Sequence, residues 1–147
     1  SYSNRDIAEN YGVEAHVDFK LADSWYANLA YTWTESNSTN LAFDSSSRQP
    51  GVPRHQISFI NDFRISEKWS LGASAHYIQG RESFGGIDTD NYLLARLHSR
   101  FRFSDRVAVT GRIENALDED YTMSYSDFSG RVPARGIAVF AGVEVGF

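Results

Sequence analysis

Hydrophobic and polar residues alternate one by one along seven stretches of this chain. A period of two is the spacing of a β-strand, in which successive side chains point to opposite faces of a sheet. The stretches are rich in β-branched and aromatic residues, and none has the 3.6-residue spacing of an amphipathic helix. The seven predicted strands are Tyr11–Leu21, Trp25–Trp33, Ile57–Ile65, Trp69–Tyr77, Leu93–Phe103, Val107–Ile113 and Ile137–Phe147. The chain is therefore predicted to be all-β.

The two faces of these predicted strands differ in polarity. Within the seven spans no odd-numbered position holds Asp, Glu, Lys or Arg. Asn61 and Ser99 are the clearly polar residues at these positions. The even-numbered positions carry the charges and three histidines. They include Glu14, His16, Asp18, Lys20, Asp62, Arg64, His76, Arg96, His98, Arg100, Arg102, Arg112 and Glu144. One face of the predicted sheet is apolar and the other is polar.

The connections between the strands alternate in length. Three short polar turns are predicted, and they are Ala22–Ser24, Ser66–Lys68 and Ser104–Arg106. Long loops are predicted between them, at Thr34–Gln56, Ile78–Tyr92 and Glu114–Gly136. Most strands span about 9–11 residues, which is the length that a tilted strand needs to cross a bilayer. Short turns at one end and long loops at the other are typical of outer-membrane β-barrels with up-and-down antiparallel strands.

Aromatic residues cluster at both ends of the apolar face. Phe19, Trp25 and Trp69 lie near the short turns, while Tyr31 and Trp33 lie near the long loops. Two such girdles flanking a band of smaller residues indicate a surface that faces lipid. The polar face then lines the lumen of the barrel. The predicted lumen-facing residues with charge or imidazole chemistry are Glu14, His16, Asp18, Arg96, His98, Arg100, Arg112 and Glu144.

Two alternatives to a lipid-facing receptor barrel stay open on this pattern. A small or oligomeric outer-membrane barrel with a structural or adhesive role would have the same alternation. A soluble barrel would turn the apolar face inward and carry an apolar ligand there. Seven antiparallel strands cannot close by themselves without a parallel seam, and open edges in hydrocarbon are costly. The chain is therefore predicted to be a piece of a larger barrel, or to pair with other chains.

Composition excludes several classes of function. A net charge of −5 without a basic run argues against nucleic-acid binding. The absence of cysteine excludes disulfides, thiolate metal sites and a cysteine nucleophile. No serine lies in a Gly-x-Ser-x-Gly turn, and no pair of carboxylates suggests acid–base chemistry. The sequence thus predicts neither an enzyme nor a cofactor.

Four motifs in order along the chain resemble those of one family. They are Tyr11–Glu14, Val52–Gln56, Gly111–Tyr121 and Gly130–Gly136, the last followed by the final strand. Gly111–Tyr121 is the most specific, although Ala116-Leu117 replaces the usual Leu-Phe. On these motifs the chain resembles the C-terminal part of the β-barrel of a TonB-dependent outer-membrane receptor.

The resemblance implies a 22-stranded barrel in the bacterial outer membrane, of which these are the last seven strands. It also implies a plug domain and a segment that binds TonB, neither of which is recognisable within these residues. Such receptors import siderophores, cobalamin, haem or sugars. The terminal Phe147 resembles the signal that the outer-membrane assembly machinery reads. The expected partners are thus lipid, the rest of the barrel, the plug, TonB, this machinery and a small ligand.

Ligands of such receptors meet the long outer loops, so we expect binding residues there. Arg48, Arg81 and Arg131 are candidates for pairing with an anionic ligand, although a solvated loop arginine is the alternative for each. Tyr121 and Tyr125 are candidates for stacking on a flat ligand, with loop packing or membrane anchoring as the alternative. No metal site is predicted. Asp88–Asn91 lacks the full spacing of a calcium loop, and the polar-face histidines lie on different strands.

Overall fold

The chain folds into antiparallel β-strands in a computed structural model that describes residues 6–40, 45–83, 86–126 and 130–146. The strands are β1 (Asp6–Ala22), β2 (Trp25–Asn40), β3 (Ser45–Arg48), β4 (His55–Arg64), β5 (Trp69–Gln79), β6 (Tyr92–Arg102), β7 (Val107–Glu114), β8 (Thr122–Ser126), β9 (Gly130–Pro133) and β10 (Ala138–Val145). The described part of the chain contains no helix that is long and apolar enough to cross a membrane.

One sheet contains all seven strands that the alternation predicts. Its order is β1-β2-β4-β5-β6-β7-β10, each strand antiparallel to the next. This is an up-and-down meander, and the all-β prediction is confirmed. Paired residues in the body of the sheet have numbers of the same parity, as in Val17↔Leu29 and Arg100↔Thr110. Because directly opposed residues share a face, the apolar and polar faces run unbroken across the sheet.

The end of the sheet where the long loops lie, the outer end, has more strands than the sequence predicts. The first two strands continue past the predicted bounds, and Ile7 pairs with Thr39. β3 adds to β2, and β8 and β9 form a separate hairpin within the predicted loop Glu114–Gly136. The prediction of loops without strands of their own is therefore wrong there. Residues 34–40 are polar at every position, so they show no alternation of apolar and polar residues, but strand pairing through backbone groups needs none.

The apolar face is not enclosed. Val17, Leu29, Phe59 and Val143 keep 49%, 41%, 40% and 67% of their surface exposed. Among the described residues the buried apolar ones are few, namely Ala27, Tyr92 and Ala108. A soluble carrier would bury its apolar residues in a common centre. A continuous exposed apolar face is instead what a strand surface in lipid requires.

The two polar exceptions on the apolar face each accept a hydrogen bond from an indole. The Trp25 Nε1–H donates to Asn61 Oδ1 at 2.5 Å, and the Trp69 Nε1–H donates to Ser99 Oγ at 2.9 Å. Both tryptophans begin a strand at the short-turn end. Each exception is thereby paired within the sheet, which lowers the cost of placing it in an apolar environment.

Candidate functional site

Charged side chains on the polar face bind one another across intervening strands. Arg100 on β6 donates from Nε and Nη2 to Glu144 Oε2 on β10, at 3.0 and 2.8 Å. This bond passes over β7, where Ala108 lies directly opposite Glu144. The small side chain of Ala108 is buried. A charged pair thus joins two strands that are not neighbours in the sheet.

A second bond of this kind passes over β5. His98 Nε2 on β6 lies 3.1 Å from Asp62 Oδ1 on β4. Gly72 is the residue between them in the register Asp62↔Gly72↔His98. A Cβ atom at Gly72 would overlap both the imidazole of His98 and the carboxylate of Asp62. The bond therefore depends on the absence of a side chain at this position.

The remaining predicted lumen residues lie on the same face. Glu114 binds two guanidinium groups, with Arg96 Nη2 at 3.4 Å and Arg112 Nε at 3.2 Å. Asp18 accepts hydrogen bonds from Tyr26 Oη at 2.5 Å and Asn28 Nδ2 at 2.7 Å. Glu14 and His16 belong to the same face by register. That face is consequently a network of paired charges, and its placement toward the lumen stays a prediction.

Arg48 joins two of the outer loops. Its Nη1 donates to the carbonyl of Gly80 at 2.6 Å and lies 3.7 Å from Glu82 Oε1. Its Nε lies 3.9 Å from Glu35 Oε1, which also binds Arg54 Nη2 at 3.2 Å. The Nε and Nη2 atoms of Arg48 are buried and have no hydrogen-bond partner among the described residues. This predicted ligand residue therefore connects the β3–β4 segment to the β5–β6 loop.

Arg81 and Arg131 meet at Thr122, the first residue of β8. Arg81 Nη2 donates to the carbonyl of Thr122 at 2.8 Å, and Arg131 Nε donates to its Oγ1 at 2.8 Å. Arg131 Nη2 also binds Asp120 at 3.0 Å. Thr122 is fully buried. Arg81 thus fixes the β8–β9 hairpin to the β5–β6 loop, and Arg131, which lies in β9, joins the two strands of the hairpin.

Asp90 completes this contact between loops. Its Oδ2 accepts the backbone N–H of Thr122 at 3.1 Å. The hydrogen bonds from the Thr122 side chain and backbone hold the pKa of the Asp90 carboxyl below its usual value, and the charge of Arg131 acts in the same direction. The carboxylate is therefore the form that the folded loop favours.

Tyr121 stacks on Tyr92 beside the same cluster. Their ring centroids are 3.9 Å apart with an interplanar angle of 26°. The guanidinium of Arg81 lies 5.4 Å from the Tyr92 centroid. Burial raises the pKa of the Tyr121 hydroxyl. The sequence singled out Tyr121 but missed Tyr92, which is the last residue of the predicted loop Ile78–Tyr92 and the first residue of β6 in the structure.

A cavity of about 320 Å³ lies against the two tyrosines. Its walls include His76, Arg96 and Glu114 from the polar face of the sheet, and Arg135 from the segment before β10. The Arg135 side chain makes no hydrogen bond or ion pair within the part of the chain that the structure describes. Sequence reasoning missed Arg135, although it lies within the motif Gly130–Gly136.

The structure brings together three of the five predicted ligand residues, namely Arg81, Tyr121 and Arg131. Arg48 lies at the neighbouring loop contact. The side chain of Tyr125 and the whole of Phe147 lie outside the described residues.

No group of three or more His, Cys, Asp or Glu suited to a metal ion occurs among the described residues. Within Asp88–Asn91, the side chains of Thr89, Asp90 and Asn91 are used in loop contacts, with Asn91 Oδ1 accepting the N–H of Gly80 at 3.0 Å.

Comparison with known proteins gives consistent matches. The family model described as TonB dependent receptor-like, beta-barrel, matches residues 1–116. The catecholate siderophore receptor Fiu of Escherichia coli K12 is 26% identical over 122 residues, covering 77% of this chain and 16% of that protein. The ferric-pyoverdine 358 receptor of Pseudomonas putida is 22% identical over 124 residues, covering 79% of this chain and 15% of that protein.

Solved structures give the same fold. The closed form of Fiu from E. coli K12 aligns with a TM-score of 0.79 and 21% identity over 100% of this chain and 22% of that one. The siderophore receptor PiuA of Acinetobacter baumannii aligns with a TM-score of 0.76 and 18% identity over 93% of this chain and 22% of that one. The chain therefore spans less than a quarter of the length of the proteins that it matches.

Proposed function

The chain belongs to the TonB-dependent receptor β-barrel family, and on this premise we propose that it forms the C-terminal part of the barrel of a bacterial outer-membrane receptor that imports ferric siderophores. The complete barrel of this proposal has 22 strands and holds a plug domain. TonB supplies the energy for import through a segment N-terminal to these residues. The outer-membrane assembly machinery reads the terminal strand with Phe147.

The observation that carries the proposal is the division of one sheet into an exposed uncharged face and a face of paired charges. The uncharged face can lie against hydrocarbon, because it places no ion there and so carries no cost of removing an ion from water. The second suits a hydrated lumen, where Arg100–Glu144 and Arg96–Glu114 remain in contact with water or with the plug. The described β1 and β10 each have one unpaired edge, and further strands of the same barrel pair with them in this proposal.

The names of the relatives support a siderophore as the transported ligand. The matched proteins include a catecholate siderophore receptor and a ferric-pyoverdine receptor. Cobalamin and haem, which the sequence resemblance also implies, have no support among these names. An adhesive or structural barrel has none either.

Iron uptake by the complete receptor tests this proposal. Cells that lack the receptor gene are grown under iron limitation and given iron-55 as a ferric catecholate chelate. We expect uptake to return when the complete gene is restored, and to disappear again when TonB is deleted. Uptake of cobalamin is the control for the receptor gene, and it stays unchanged when that gene alone is removed or restored. TonB-independent uptake, or equal uptake with and without the receptor, would contradict the proposal.

A further inference from the structure

We propose that the cavity against Tyr92 and Tyr121 binds one anionic aromatic arm of the ligand, such as a catecholate. This inference rests on the proposed function, because it names the part of a siderophore that this chain contacts. The cavity lies on the polar face of the sheet, and its walls combine residues of β5, β6 and β7 with Tyr121, which directly precedes β8.

The charge balance around the cavity favours an anion. Glu114 is its carboxylate, and it is already shared between Arg96 and Arg112. Arg96 and Arg135 are the two guanidinium groups in the cavity walls, and the Arg135 side chain has no partner among the described residues. Guanidinium groups bind carboxylate and similar oxyanions through charge-assisted hydrogen bonds. A cavity with more cations than anions therefore attracts a negatively charged group.

The aromatic wall favours a flat ligand. Tyr121 stacks on Tyr92, and this pair is held from behind by the Arg81 contacts. A half-buried ring that is already fixed loses little conformational freedom when another ring packs against it. A volume of about 320 Å³ lies at the lower end of the range for ligand pockets, so it accommodates one arm of a chelate.

The backbone around Arg135 is fixed although its side chain is not paired. Asn115, at the end of β7, donates from Nδ2 to the carbonyls of Arg135 at 3.1 Å and Glu119 at 2.9 Å. Asn115 is buried and has a positive φ of 49°. Two residues after Arg135, the N–H of Ile137 donates to Asp118 Oδ1 at 3.1 Å. The backbone of Arg135 is therefore held at a defined position beside the cavity, while its side chain stays available to reach a ligand.

Binding of two chemically different chelates to the complete receptor tests the inference. A ferric tris-catecholate is anionic and aromatic, whereas a ferric tris-hydroxamate is neutral and not aromatic. We expect Arg135→Gln and Tyr121→Leu each to raise the Kd of the tris-catecholate about tenfold, which equals about 1.4 kcal/mol. Arg135→Lys should restore part of the affinity. Binding of the tris-hydroxamate should not change.

Arg106→Gln, in the short β6–β7 turn at the opposite end of the sheet, is the matched charge control. Heat-modifiable gel migration verifies that each variant folds. Unchanged catecholate affinity in folded Arg135→Gln and Tyr121→Leu receptors would overturn the inference while leaving the proposed function intact. A complete wild-type receptor that imports no ferric siderophore would instead refute the proposed function itself.

Discussion

The body of the sheet and its outer end are built on different rules. In the body, alternation of apolar and polar residues assigns every side chain to a face, and small residues such as Gly72 and Ala108 let polar side chains pair across a strand. At the outer end, arginine side chains hold backbone carbonyls of neighbouring loops, as Arg48 does at Gly80 and Arg81 at Thr122. Periodicity therefore specifies the body, and individual side-chain contacts specify the end.

Placing a charged residue on the apolar face in the body of the sheet should have the largest effect on stability. Leu29 lies between Val17 and Phe59 on this face. We expect Leu29→Arg to lower the free energy of unfolding in lipid vesicles by about 2–4 kcal/mol, because an arginine would face hydrocarbon. Thr32→Arg on the same strand is the control, since Thr32 lies opposite Glu14 on the polar face. Equal destabilisation by the two substitutions would show that the faces are assigned wrongly.

Adding a side chain at Gly72 should have the next largest effect on stability. In Gly72→Ala the new Cβ displaces the His98 imidazole from Asp62, and we expect a loss of about 1–3 kcal/mol in unfolding free energy. Gly111→Ala is the matched control, because a Cβ there has no atom within 4 Å. Combining Gly72→Ala with His98→Ala should cost less than the sum of the two single changes. If the two losses of unfolding free energy simply add, the absence of a side chain at Gly72 does not support the bond between His98 and Asp62.

Removing a loop contact should act locally and cost less. Arg81→Gln leaves the carbonyl of Thr122 without its charged donor, and we expect a loss of about 1 kcal/mol, confined to the outer end. Hydrogen exchange should become faster in β8 and β9 and stay unchanged in β4 and β5. Arg106→Gln again serves as the control. Equal protection of the hairpin in both variants would show that Arg81 does not hold it.

The sequence predicts the two regions unequally for a physical reason. Every strand of the body carries its own period-two signal, so the seven-strand meander and the faces of Arg100 and Glu144 follow from the printed residues. The pairing of Arg100 with Glu144 does not follow, because it depends on which strands the register brings within reach. Residues 34–40 and the β8–β9 hairpin were missed, since they pair through backbone groups and need no amphipathic pattern.

The candidate site shows the same limit. Arg81, Tyr121 and Arg131 were singled out by residue type and loop position, and they lie in one cluster. Their polar atoms largely hold the loops, which residue type alone does not indicate. Arg135 is the opposite case, because only its surroundings show that its side chain has no partner among the described residues. Contact partners thus distinguish an arginine that fixes a loop from one that makes no such contact within the described part of the chain.

Protonation of Asp90 should have the smallest effect, and it offers a way to loosen the outer end without changing the body. The folded pKa of this carboxyl lies below its usual value of 3.8, so its stabilising contribution is complete above that pH and is lost as the pH falls through the folded pKa. After correction for intrinsic exchange, protection of the Thr122 N–H should be constant from neutral pH down to about pH 5 and should weaken below about pH 4.

Asp90→Asn tests that assignment, because an amide oxygen still accepts the N–H of Thr122 but does not titrate. We expect the variant to have weaker protection of Thr122 at neutral pH and no further loss on acidification. The β4 and β5 amides are the internal reference for both proteins. If acid weakens the Thr122 amide in the variant as much as in the wild type, another carboxylate controls the hairpin, and the contact between the two loops does not depend on Asp90.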